Sequence, residues 1–122
     1  IFGITAPATI APGQDFNVTL ETQNYIQTIY DVAVVFGLAP GQGHPDTLGT
    51  VIASEYLGPS KSNIIVPIVY TVSVDKNTPV GSSTLSASVM SLYGVSSGPT
   101  LSNYNVTVVV GDVVSEERVS SS

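Results

Sequence analysis

Hydrolytic or metal chemistry in this chain would have to be built from its single histidine, His44, and from the serines of Gly94-Val95-Ser96-Ser97-Gly98. A catalytic triad or a histidine-ligated metal needs partners beside the imidazole, and a zinc site needs three or four convergent ligands. His44 lies in a Gly/Pro loop with only Asp46 nearby, so it reads as an exposed loop residue. The G-x-S-x-G match works as a nucleophile elbow when a strand-turn-helix lifts the serine above an α/β sheet and an acid and then a histidine follow in the chain. Here no helical pattern follows, and the only histidine lies upstream. Asp15, Asp31, Asp46, Asp75 and Asp112 are scattered singly, without the alternating ligands of a calcium loop. No spacing nominates a carboxylate pair, no glycine-rich phosphate loop is present, and with no cysteine there is neither thiol chemistry nor a disulfide. The expectation is a non-enzyme with no catalytic residue, no cofactor and no metal.

Two sequons do carry chemistry, Asn17-Val18-Thr19 and Asn105-Val106-Thr107, since an oligosaccharide can be joined to such an asparagine in a secreted chain. Composition alone yields about 1.4 such triplets in a chain with this much Asn, Ser and Thr, so their presence is compatible with secretion without demonstrating it. Strand alternation places both Asn17 and Asn105 on a solvent face. Stacking on sugar faces would call for exposed aromatics. Trp is absent, and six Tyr and three Phe must also supply the core, which lowers a polysaccharide-binding reading. Sheet edges, Tyr-bearing loops and an extendable tail suit protein binding better.

The elements that must position these residues are strands. Val, Ile and Thr make up 40 of 122 residues, and β-branched side chains suit a pleated, half-buried surface. Eleven Gly and eight Pro punctuate the Val-rich runs. Residues 1–5 read as a first strand and Pro12-Gly13 as a turn. In residues 15–22, Phe16, Val18 and Leu20 alternate with Asn17, Thr19 and Glu21, the mark of one wet face. Residues 31–38 are more uniformly apolar, as in a central strand covered on both sides. Strands follow over 50–57, 64–74, 83–93 and 101–110. Pro67 lacks an N–H and therefore marks an edge or a bulge.

About seven or eight strands at this spacing predict an all-β protein, an immunoglobulin- or fibronectin-like antiparallel β-sandwich without a disulfide, with a closed barrel as the alternative. Residues 1–112 form one domain, and 113–122 form a mobile acidic and Ser-rich tail. Three basic residues against a net charge of −6 leave no phosphate-tracking patch, so nucleic acid is not a partner. The longest apolar run, 32–39, falls far short of the roughly 20 residues of a membrane-spanning helix. Numbering starts at Ile1, and no charged segment followed by an apolar one opens the chain, so either a leader was removed or none existed.

Phe16-Asn17-Val18, Asn24-Tyr25-Ile26-Gln27, Tyr30-Asp31-Val32-Ala33, Phe36-Gly37-Leu38-Ala39-Pro40-Gly41, Leu48-Gly49-Thr50-Val51 and Tyr56-Leu57-Gly58-Pro59 form an ordered run of motifs. It continues through Lys61-Ser62-Asn63, Leu85-Ser86-Ala87-Ser88, Met90-Ser91-Leu92-Tyr93-Gly94 and Pro99-Thr100-Leu101-Ser102-Asn103-Tyr104-Asn105-Val106-Thr107-Val108. This run resembles the fungal necrosis-inducing secreted effector family, over nearly the whole of residues 1–112.

The resemblance implies a small protein secreted by plant-associated ascomycete fungi, acting in the plant apoplast or cytoplasm. It implies induction of cell death in some plants. It also implies suppression of host immunity by binding, and inhibiting, the receptor-associated kinases that relay microbial signals. It supplies no catalytic or binding position to carry over. For contacts, Tyr93, Leu101 and Tyr104 are expected at the partner surface, because an aromatic anchor beside an edge makes a hot spot. A monomer is expected. The alternative is an extracellular carbohydrate- or cell-wall-binding or adhesion module.

Overall fold

The computed structural model describes residues 1–23, 29–42, 48–94 and 98–121. Its strands are β1 (Gly3–Pro7), β2 (Thr9–Ile10), β3 (Phe16–Glu21), β4 (Ile29–Pro40), β5 (Thr50–Tyr56), β6 (Ile68–Val72), β7 (Gly81–Tyr93), β8 (Gly98–Val110) and β9 (Arg118–Ser120), with one 3-10 turn at Pro59–Lys61. They form two separate sheets, β6-β3-β1-β9 and β2-β8-β7-β4-β5, so the architecture is the sandwich and not the barrel. All pairings are antiparallel except β2 with β8. The chain changes sheets at Ala8, whose N–H donates to Glu117 O (2.8 Å) while its carbonyl accepts from Val109 N (2.9 Å).

Alternation builds the core. Ile4, Ala6, Val18, Leu20, Ile68 and Val72 face inward from one sheet, and Val34, Phe36, Leu85, Ala87, Val89, Val106, Val108 and Val110 from the other, all buried. Each such Val, Leu, Ile or Phe contributes about 1.5–3 kcal/mol by leaving water. Phe36 on β4 meets Tyr70 on β6 edge-to-face across the two layers, with ring centroids 6.1 Å apart. One polar knot interrupts this core. Asp31, 2% exposed, accepts a 2.6 Å hydrogen bond on Oδ1 from Ser91 Oγ, and its own N–H donates to Ser62 Oγ at 2.7 Å. Ser62 Oγ in turn donates to Gly58 O at 2.7 Å. Burial without these partners would be costly, so the knot ties the 3-10 turn to β4 and β7.

Two expectations are corrected by the fold. The strand expected over 64–74 contracts to Ile68–Val72. Pro67, with no N–H for a ladder, immediately precedes it, and β6 is an edge as the proline required. The tail expected to be mobile carries β9, paired with β1 as Thr5↔Ser120, Ala6↔Val119 and Pro7↔Arg118. Arg118 Nη2 donates to Thr5 O (3.1 Å), Asn17 O (3.2 Å) and Thr19 Oγ1 (3.2 Å), and Ile4 and Ser121 exchange hydrogen bonds. The open backbone edge of β1 recruits a strand too short to announce itself by periodicity. The Gly/Pro loop with His44 and Asp46, and Ser96 of the G-x-S-x-G match, lie outside the described residues.

Candidate functional site

A cleft of about 260 Å³ opens at one end of the sandwich, walled by Leu38, Ile52, Val74 and Pro79. Its one titratable side chain, Asp75, accepts a 2.7 Å hydrogen bond from the N–H of Asn77 and so serves its own turn. Among the described residues no three His, Asp or Glu side chains converge on a point. The arrangement offers shape and apolar contact rather than a nucleophile with its base.

The outer face of the five-stranded sheet offers more. Register sets Tyr56 opposite Ala33, Ala33 opposite Met90, and Met90 opposite Leu101, one row across β5, β4, β7 and β8. Beside it runs a second row, Tyr30, Leu92 and Pro99. Tyr56, Met90 and Leu101 are 64%, 40% and 59% exposed. Across β4, β7 and β8 the outward positions carry no charge, although the chain has a net charge of −6. Toward the other end of the same face the pairs become polar: Ser88↔Asn103, Ser86↔Asn105 and Thr84↔Thr107. The face therefore has an apolar end and a hydroxyl-and-amide end.

Tyr56 is exposed yet held in place. Its hydroxyl shares a 2.6 Å hydrogen bond with that of Tyr30, which holds the Tyr30 phenol above its ordinary pKa, with slight desolvation adding to the effect. Its ring lies over Gly58, which has φ +81°, and a Cβ there would meet two ring carbons and the hydroxyl oxygen of Tyr56 at 2.6–2.7 Å. Gly58 is in turn fixed by its N–H to Asp31 O (2.9 Å) and by Ser62 on its carbonyl. A large aromatic held in one orientation loses little entropy when a partner covers it, which is what a binding anchor requires.

The three expected contact residues do not share this face. Leu101 lies in the apolar row. Tyr104 has the inward parity of Val106 and Val108, packs against the core, and donates from its hydroxyl to Ile1 O at 2.9 Å. Tyr93 follows the inward parity of Leu85, Ala87 and Val89 and is half-buried at the end of β7. Residue-type reasoning did not single out Tyr30, Tyr56 and Met90. The available signal was Tyr56-Leu57-Gly58, a glycine two residues beyond an aromatic at a strand end. Asn17 and Asn105 are both exposed, on opposite sheets.

The sequence profile of the Nis1 family matches residues 1–109. Necrosis-inducing secreted protein 1 of Colletotrichum higginsianum is 44% identical over 122 residues, 99% of this chain and 85% of that protein. Its counterpart in Colletotrichum orbiculare is 43% identical, over 99% of this chain and 75% of that protein. Among solved structures, the superoxide reductase (neelaredoxin) from Ignicoccus hospitalis is similar at a TM-score of 0.45 and 14% identity, over 92% of this chain and 80% of that one. With a family match over nearly its whole length and relatives of this identity, the chain belongs to the Nis1 family.

Proposed function

We propose that this chain is a secreted fungal effector that induces plant cell death and acts without catalysis of its own. It binds plant receptor-associated kinases as a monomer, inhibits them and so suppresses host immunity. Secretion and necrosis induction are supported by family membership and by the names of the relatives. For the binding step, the supporting observation is the uncharged row of Tyr56, Met90 and Leu101 with its pinned aromatic. Inhibition follows if the row prefers one arrangement of a mobile kinase element or blocks contact between kinases, since a ligand shifts an equilibrium only by its differential affinity for the two states.

The test is a titration of the protein against the cytoplasmic kinase domains of plant immune co-receptors, with autophosphorylation followed in parallel. Saturable binding near about 1 μM, worth roughly 8 kcal/mol, with loss of phosphorylation is the expected result. Tyr56→Ala or Leu101→Asp should weaken binding by about tenfold or more. Wild-type protein that neither binds nor inhibits at tens of micromolar overturns the kinase reading and turns attention to retention on plant or fungal cell-wall polysaccharide.

A further inference from the structure

The two sequons are alike in sequence and different in setting. Asn17 sits on β3 in a groove with Asp15, Thr71, Glu116 and Arg118. Its Oδ1 accepts from Thr71 Oγ1 at 2.7 Å, and its carbonyl accepts from Arg118 Nη2 at 3.2 Å. The hydroxyl of its sequon threonine, Thr19 Oγ1, also accepts from Arg118 Nη2 at 3.2 Å. This triplet is part of the clasp that holds β9 to the sandwich, and an oligosaccharide on Asn17 would have to leave through the same groove.

Asn105 makes no side-chain hydrogen bond among the described residues, and its neighbours on the outer face are small or polar: Ser86 across the pair, Asn103 and Thr107 along the strand. On the side away from β7, β8 is paired among the described residues only with β2, at Val109 and Val110. Among the described residues no strand pairs with β8 on that side between Gly98 and Val108, a stretch with no charged residue and with Pro99 near one end. A long uncharged edge is a template for pairing with other chains, and proteins usually blunt it with charge, proline or a cover.

We propose that Asn105 is an N-glycosylation site in the secreted protein, that Asn17 is left bare, and that the Asn105 oligosaccharide shields this stretch of β8 while leaving the apolar row free. In the transfer, Asn105 Nδ2 forms a bond to C1 of the first sugar of a lipid-diphosphate-linked oligosaccharide. The C1–O bond to phosphate breaks, the lipid diphosphate leaves, and one amide proton is released. Leu101 stands four residues away along the strand, about 13 Å, so the sugar attaches beside the docking row and not within it. The hydroxyl-and-amide pairs at that end of the face suit a covering sugar, which they can meet with hydrogen bonds.

The test is to secrete the full chain, behind a secretory leader, from a glycosylating host and weigh it intact. The wild type should carry the mass of one oligosaccharide, lost in Asn105→Gln and in Thr107→Val but kept in Thr107→Ser and Asn17→Gln. Thr107→Val leaves Asn105 itself in place, which separates loss of the sequon from misfolding of the asparagine variant. Wild type without added mass, added mass persisting in Asn105→Gln, or a sugar on Asn17 overturns the assignment. Enzymatic removal of the sugar should raise light scattering on concentration, and unchanged scattering overturns the shielding role. None of these outcomes depends on whether the protein binds a kinase.

Discussion

The ring of Tyr56 lies over Gly58 so closely that a Cβ on the glycine would stand 2.6 Å from the ring edge. That contact turns an exposed aromatic into a fixed one, and it depends on a residue that contributes no side chain. It also links the outer face to the interior, because Gly58 is bonded to Asp31 and Ser62 of the buried polar knot.

Gly58→Ala is expected to destabilise the protein by about 1 kcal/mol or more. Alanine at φ +81° is strained, and its methyl displaces the Tyr56 ring. Thermal unfolding should move down by several degrees. An unchanged midpoint would mean that the turn relaxes freely and that Tyr56 is not held by this contact.

The hydrogen bond between Tyr30 and Tyr56 raises the Tyr30 pKa above its ordinary 10.0. A phenol raised in the folded state contributes stability that is fully present below the ordinary value and lost as pH rises through the raised one. Tyr56→Phe removes the partner hydroxyl, so the Tyr30 phenolate, followed through the ring resonances of Tyr30 in an NMR titration, should appear at lower pH. A Tyr30 midpoint that stays where it was would show that the pair is not formed in solution.

Ser91→Ala takes away the donor that reaches Asp31 Oδ1 at 2.6 Å while the carboxyl stays buried. The cost of an unmet buried acceptor is about 1–3 kcal/mol. Urea unfolding should shift to a lower midpoint at an unchanged slope. If the midpoint holds, a solvent molecule has replaced the serine.

At the C-terminal strand, Arg118→Ala removes a guanidinium that reaches oxygens on both β1 and β3. Global stability should fall by no more than about 1 kcal/mol, because the group is exposed. Hydrogen exchange should reveal the local effect. The amides of Ile4 and Ala8, which donate to Ser121 Oγ and Glu117 O, should exchange faster while those of β7 keep their protection. Uniform protection in the variant would make β9 independent of its arginine.

Strand identity was legible wherever one face of a strand is wet. The alternation of Phe16, Val18 and Leu20, and of Leu85, Ala87 and Val89, matches their observed burial. The strand over 31–38 was found through its apolar run, and Val34, Phe36 and Leu38 are indeed buried. Periodicity failed at β9, where three residues carry no pattern, and at the start of β6, where Ile64 and Val66 continue an apolar run that the backbone does not pair. The contact residues were the least legible. Residue type alone points to Tyr104, whose parity turns it toward the core, and passes over Met90, which stands on the exposed row.

The sequence by itself determined the all-β class, the inward and outward parity of the long strands, the absence of thiol chemistry and the family to which the chain belongs. These depend on residue type and on spacing within one strand, which are local properties. Only the tertiary structure decided which strands lie side by side. Tyr56, Ala33, Met90 and Leu101 are scattered along the chain, and cross-strand register alone makes them one row. The same is true of the two sequons. Their triplets are chemically equivalent, but long-range pairing binds Asn17 into the clasp of β9 and leaves Asn105 on a stretch of β8 that no described strand pairs on its outer side.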